Sequence, residues 1–140
     1  MVKAYAQLAA IVLLITGFGG LFTGDASTVI NGHASGNFDG VALHLTWVHD
    51  GLNLLIAAAF FYAGWVAPAS RASAVVSVAA GLLFVLGLAG FIVGDDDAGT
   101  RSFAALHFPL AMNIFNLVAG TLGVLCVLGD IAEPAAAVEG

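Results

Sequence analysis

Four stretches of this chain run for about twenty residues or more with almost no charge, and no other feature constrains the fold as strongly. They are Tyr5–Thr23, Val41–Val66, Ala72–Gly94 and Phe103–Leu128. A helix rises 1.5 Å per residue, so about 20 apolar residues cross a hydrocarbon layer of about 30 Å. The stretches are too long, and too apolar on every side, to be amphipathic helices lying on a membrane surface. Composition agrees: 61% of the residues are hydrophobic and 9% are charged. A water-soluble domain has about a quarter of its residues charged, so this exterior has to face lipid. The expected fold is a single all-α membrane domain over residues 1–140 with four transmembrane helices. The first stretch, with Lys3 before it and Gly24-Asp25-Ala26-Ser27 after it, also matches a secretory signal. It is read as a span because it has a counterpart later in the chain.

The charges set the surroundings and the orientation. Net charge is −6, and the basic residues are Lys3, Arg71 and Arg101. Nucleic acid binding needs clustered Lys and Arg, and so does a polybasic contact with anionic lipid; neither pattern is present. If the spans alternate, Lys3 and Arg71 fall on one side. The positive-inside rule then places both termini in the cytoplasm. Trp47 and Trp65 suit the two membrane interfaces, Trp47 outer and Trp65 inner. Richness in Ala, Gly and Val with little Lys points to a high-GC or salt-adapted source, and the expected location is the plasma membrane of a prokaryote. Cys126 stands alone inside the last span, and reads as a small apolar residue. The segment from Asp130, with Glu133 and Pro134, reads as a short tail with little structure.

The chain repeats itself. Gly17-Phe-Gly-Gly-Leu-Phe-Thr-Gly-Asp25 stands against Gly87-Leu-Ala-Gly-Phe-Ile-Val-Gly-Asp95. Ala42-Leu43-His44, followed by Asn53-Leu54, stands against Ala105-Leu106-His107, followed by Asn116-Leu117 at the same spacing. Asp50 matches Asn113. The expectation is two helical hairpins, about 4–66 and 72–129, repeated in parallel about an axis along the membrane normal. Gly20 with Gly24, and Gly90 with Gly94, form small-xxx-small pairs that let helix backbones approach.

Polar residues inside these spans are the candidate site. Asp50 is the sharpest, because a charge within a span is costly and marks function by default. Asp50, Asn53, Asn113 and Asn116 read as a buried polar cluster. It either fixes helix register by hydrogen bonds or holds a proton, a cation or a head group. His44 and His107, at equal depth on different spans, are the minimum for bis-imidazole ligation of haem b. Two half-wet interfacial histidines satisfy the same pattern. Adding His49, with Asp25 or Asp95, gives a transition-metal set whose metal is unknown. Asp95-Asp96-Asp97 lacks the pattern of a calcium loop and reads as a solvated helix end, and His33 reads as an exposed loop residue. No nucleophile–base pair, phosphate loop or dinucleotide fingerprint occurs, so an enzyme is not the expectation.

His49-Asp50-Gly-Leu-Asn53 in the second span and Asn113-Ile-Phe-Asn116 in the fourth resemble the motifs of a family of small four-span bacterial membrane proteins, mainly actinobacterial, of unknown function. That family carries His-Asn-x-x-His in its second span and Asn-x-x-His in its fourth. The final histidine of each motif is asparagine here, which tells against a metal or haem at those positions. The resemblance implies the four-span fold and no activity. The leading expectation for function is a non-enzymatic accessory or scaffolding subunit, packed in the lipid bilayer against other subunits or its own copies. The alternatives are a redox or pigment-binding protein using His44 and His107, and a small oligomeric carrier using Asp50 and Asn53.

Overall fold

The computed structural model describes residues 1–23, 29–30, 33–34, 46–93, 102–103 and 106–138, with side chains at 1–22, 46–93 and 108–130. Four helices make up almost all of it: α1 (Val2–Thr23), α2 (Trp47–Phe61), α3 (Ala69–Val93) and α4 (Leu110–Val138). α2 runs directly into a π-helical turn, Tyr62–Val66, so the backbone is helical from 47 to 66. The connections hold two short antiparallel pairs. β1 (Val29–Ile30) pairs with β2 (His33–Ala34), and β3 (Ser102–Phe103) with β4 (Leu106–His107). Among the described residues, three helical segments are long and apolar enough to cross a membrane: Val2–Phe22, Ala69–Val93 and Leu110–Asp130.

α1 packs chiefly on α2 and the π-helical turn, and α3 chiefly on α4. Within the first hairpin the helices are antiparallel. Gly17 lies against Leu54 towards one end, and the Gln7 side-chain amide donates to the Gly64 carbonyl at 3.1 Å towards the other. Between hairpins, the Tyr5 hydroxyl donates to the Ala119 carbonyl at 2.6 Å. The Met1 amino group lies 3.2 Å from the Asp130 carboxylate, so the start of α1 and residue 130 of α4 share one end of the bundle.

The distribution of side chains is the reverse of a soluble bundle. Phe22, Ile92, Val78 and Leu55 point outward, while Ala6, Ala10, Ala57 and Ala80 fill the interior beside buried Thr46, His49, Asp50, Asn53, Asn113 and Asn116. An aqueous surface built this way would expose a continuous apolar face, which a lipid environment accommodates. Small interior residues let the backbones approach without large side chains between them.

Burial recurs at fixed offsets. On α1 the inward positions are Val2, Ala6, Ala10, Leu13, Gly17 and Gly20. Seventy positions later (Gly17 to Gly87), Ala72, Val76, Ala80, Leu83, Gly87 and Gly90 are buried on α3. Asp50, Asn53, Ala57, Phe60 and Gly64 have buried counterparts sixty-three positions later (Asp50 to Asn113): Asn113, Asn116, Gly120, Gly123 and Val127. Two apolar grooves between the hairpins obey the same offsets. One, about 360 Å³, lies between α1 and α4 and includes Tyr5, Leu8, Val118 and Ala119. The other, about 450 Å³, lies between α2 and α3 and includes Val75, Val78, Leu55 and Ile56.

Three boundaries differ most from the sequence expectation. The second helix begins at Trp47 rather than Val41, because Thr46 is extended and caps it by accepting the His49 N–H at 3.2 Å. The fourth begins at Leu110 rather than Phe103. Pro109 holds the residue before it away from helical geometry, while its own carbonyl accepts the Asn113 N–H at 3.0 Å and starts the helix. At the other end, α4 runs to Val138, through the segment expected to be an unstructured tail. Ala132 and Ala135–Ala137 favour helix strongly enough to carry it past Pro134.

Candidate polar site inside the bundle

The N-terminal turns of α2 and α4 place the polar residues. Asp50 is 0% exposed, His49, Asn53 and Asn116 are each 2% exposed, and Asn113 is 3% exposed. Thr46 is buried with them, and fixes the first turn of α2. On α4, Asn113 does the corresponding work from within the helix, its amide Nδ2 donating to the Phe108 carbonyl at 3.1 Å.

Two pairs of glycines decide which way these side chains face. A Cβ added at Gly20 would overlap the Asp50 carboxylate, and one at Gly90 would overlap the Asn113 amide. One turn deeper, a Cβ at Gly17 would lie 2.8 Å from Leu54, and one at Gly87 2.5 Å from the Leu117 backbone nitrogen. Asp50 therefore sits in the seam between α1 and α2, and Asn113 in the seam between α3 and α4. Among the described residues these close contacts are made by Gly17 with Gly20 and by Gly87 with Gly90, three apart. Gly24 and Gly94 lie outside the described residues.

His49 and Asn53 are four apart on α2, one position round from the seam-facing stripe of Asp50, Leu54 and Ala57. The His49 ring meets the Phe108 ring edge-on, with centroids 6.3 Å apart, which brings the start of α2 against the segment leading into α4. Asn53 Nδ2, Asn113 Oδ1 and Asn116 Oδ1 are buried with no hydrogen-bond partner among the described residues. Buried amides of this kind are the contacts a bound water or polar guest takes.

The histidine pair reads differently. His107 lies on β4, paired with Ser102, and not within the fourth helix as the sequence suggested. Its side chain, and all of His44, Asp25 and Asp95-Asp96-Asp97, lie outside the described residues. Among the described residues no group of three or more His, Cys, Asp or Glu side chains comes together to hold a metal. Sequence reasoning missed Phe108 as the partner of His49, and Met112 as a buried counterpart of His49 on α4. The same offset that matches Asp50 to Asn113 reaches Met112. Comparison with protein-family models, curated proteins and solved structures returns no match.

Proposed function

We propose that this chain is a four-span integral membrane protein built from two parallel copies of one helical hairpin, and that it serves as a non-enzymatic accessory or scaffolding subunit of a membrane assembly. The observation that carries this reading is the inversion of the bundle. Large apolar side chains cover the outside and line both inter-hairpin grooves, while small residues make the tight contacts within each hairpin. Such faces pack against other apolar helices, and ask for no aqueous ligand.

The fixed offsets in burial, the matched glycine seams and the matched grooves support duplication of the hairpin. Support for α2 with its π-helical turn as the fourth span comes from Trp47 and Trp65, both exposed. They are separated by about 27 Å of helix at 1.5 Å per residue, the interval between two interfacial aromatic belts. Lys3 and Arg71 belong to the end of the bundle that holds Met1 and Asp130, so the positive-inside rule supports cytoplasmic termini in a bacterial plasma membrane. The motif resemblance to small four-span bacterial proteins fits this reading.

Purification from native membranes in mild detergent tests it. Stoichiometric co-purifying chains, or a defined homo-oligomer, are the expected result. A single monodisperse copy with no partner would sink the scaffold reading. A second reading, a small oligomeric carrier, is favoured by one observation: Asn53 and Asn116 each bury an amide atom that has no partner among the described residues. Solute flux in proteoliposomes that is lost in Asp50→Asn distinguishes the carrier from the scaffold.

A further inference from the structure

The two apolar grooves match along their walls and differ at their feet. The offsets that carry Tyr5, Leu8 and Val118 of one groove onto Val75, Val78 and Leu55 of the other carry Met1 onto Arg71 and Leu125 onto Tyr62. On α3, Arg71, Val75, Val78 and Leu82 follow one another at helical spacing and share one stripe, with Arg71 exposed in the first turn. On α2, Leu55 and Ala59 lead by the same spacing to the exposed Tyr62 at the same end of the bundle. The groove between α2 and α3 therefore has a guanidinium, and a phenol hydroxyl opposite, at the rim of an apolar trough. The Arg71 guanidinium makes no ion pair or hydrogen bond among the described residues. A cation in the first turn of a helix opposes the helix dipole, so α3 itself gains nothing from it.

The foot of the other groove carries no such group. The Met1 amino group is paired with the Asp130 carboxylate at 3.2 Å, and Leu125 is apolar. Lys3 stands nine residues before Val12, which places it half a turn round α1 from the groove wall.

We propose that the groove between α2 and α3 binds one phospholipid of net negative charge, with an acyl chain along Leu55, Ala59, Val75, Val78 and Leu82 and the phosphate on Arg71. The stripe from Arg71 to Leu82 rises about 16 Å at 1.5 Å per residue. That is the depth of one leaflet, half of a hydrocarbon core of about 30 Å, and a transmembrane helix would need the whole. The volume, about 450 Å³, suits a chain rather than a helix. Arginine offers a phosphate two parallel N–H donors, and a tyrosine hydroxyl adds another at the same level. One arginine above one groove is a point of recognition, unlike a polybasic patch, whose attraction is spread over the membrane surface. The site needs the four-span bundle to face lipid, and does not depend on the scaffold role.

Native mass spectrometry of the full chain, released from detergent after incubation with equimolar phosphatidylglycerol and phosphatidylcholine of matched chains, tests the proposal. Detergent removes any effect of Arg71 on orientation in the membrane. The wild type is expected to retain one phosphatidylglycerol, preferred about five-fold, the worth of one basic residue near an anionic head group. Arg71→Gln should abolish the preference, and Val78→Trp, which fills the trough, should release the lipid. Leu8→Trp, at the matching place in the other groove, should leave it bound. Arg71, Val78 and Leu8 are exposed, so circular dichroism should show unchanged helical content. A wild type without the preference, a preference that survives Arg71→Gln, or a lipid lost in Leu8→Trp and kept in Val78→Trp overturns the site. A lipid-free dimer that Val78→Trp dissociates gives the groove to a second copy, and overturns it too. Quenching of Trp47 and Trp65 by lipids brominated at known depths checks the span of α2 separately, so failure of the four-span reading is told apart from failure of the lipid site.

Discussion

At Gly20 the absence of a side chain is the structural requirement, because the Asp50 carboxylate occupies the space a Cβ would fill. Gly90 meets Asn113 in the same way. Gly20→Ala and Gly90→Ala are each expected to destabilise the bundle by about 1–3 kcal/mol, the usual cost of forcing an atom into a packed seam. Gly51 and Gly81 are the opposite case: an added Cβ meets nothing within 4 Å. Gly51→Ala and Gly81→Ala should raise stability, by up to about 1 kcal/mol from helix propensity. Thermal unfolding in detergent, followed by circular dichroism, checks all four. The sequence pattern shows that glycines recur near the ends of the first and third spans, but glycine spacing does not say which one meets which partner. That depends on the rotation of each helix about its axis. The apolar periodicity here barely defines it, since almost every position is apolar. Asp50 and Asn113 were legible as buried because polar groups stand out in such a background; Met112 was not, because a methionine in an apolar span carries no signal.

Helix boundaries are where the sequence misleads, and local chemistry explains each case. Hydropathy alone cannot separate Val41–His44 from the helix that follows, because apolar residues continue across the junction. The structure ends that run at Thr46, whose hydroxyl takes the His49 N–H. Thr46→Ala is expected to cost about 1 kcal/mol, the typical value of an N-cap. Amide hydrogen exchange should quicken at His49 and Asp50 while the middle of α2 stays protected. Unchanged exchange in the first turn would mean that Trp47 and its neighbours, rather than the cap, fix the start. At the far end, the π-helical turn carries a longer bond, with the Ala67 N–H donating to the Tyr62 carbonyl at 2.8 Å. Gln7 meets the widened backbone at Gly64. Gln7→Leu removes that hydrogen bond, and should lower stability by about 0.5–1.5 kcal/mol. Nothing in the sequence signals a π-helical turn.

The whole molecule divides into tight contacts and loose ones. Within each hairpin, glycine seams bring backbones together; between hairpins, two apolar grooves remain open and few polar contacts cross. The proposed repeat rests on matched glycines, histidines and asparagines in the sequence, and the fixed offsets in burial support it. The fastening between the hairpins was not readable, since it falls outside the matched positions. Tyr5 donates to the Ala119 carbonyl at 2.6 Å, sets its ring edge-on to Phe60 at 5.5 Å, and lies against Gly123. Seventy positions later stands Val75, which can make neither the hydrogen bond nor the ring contact. Tyr5 therefore links α1 to α4 within the bundle, as Met1 and Asp130 do at its end. Tyr5→Phe keeps the ring and deletes only the hydroxyl, so packing on Phe60 and Gly123 survives. The expected loss is about 0.5–1.5 kcal/mol, the net value of one hydrogen bond. Because the seams within each hairpin are untouched, helical content should stay constant while the hairpins separate more readily. Cross-linking between cysteines introduced on α1 and α4 should fall in Tyr5→Phe, and cross-linking between α1 and α2 should not. An equal fall in both would place Tyr5 in the general stability of the bundle rather than in joining its halves.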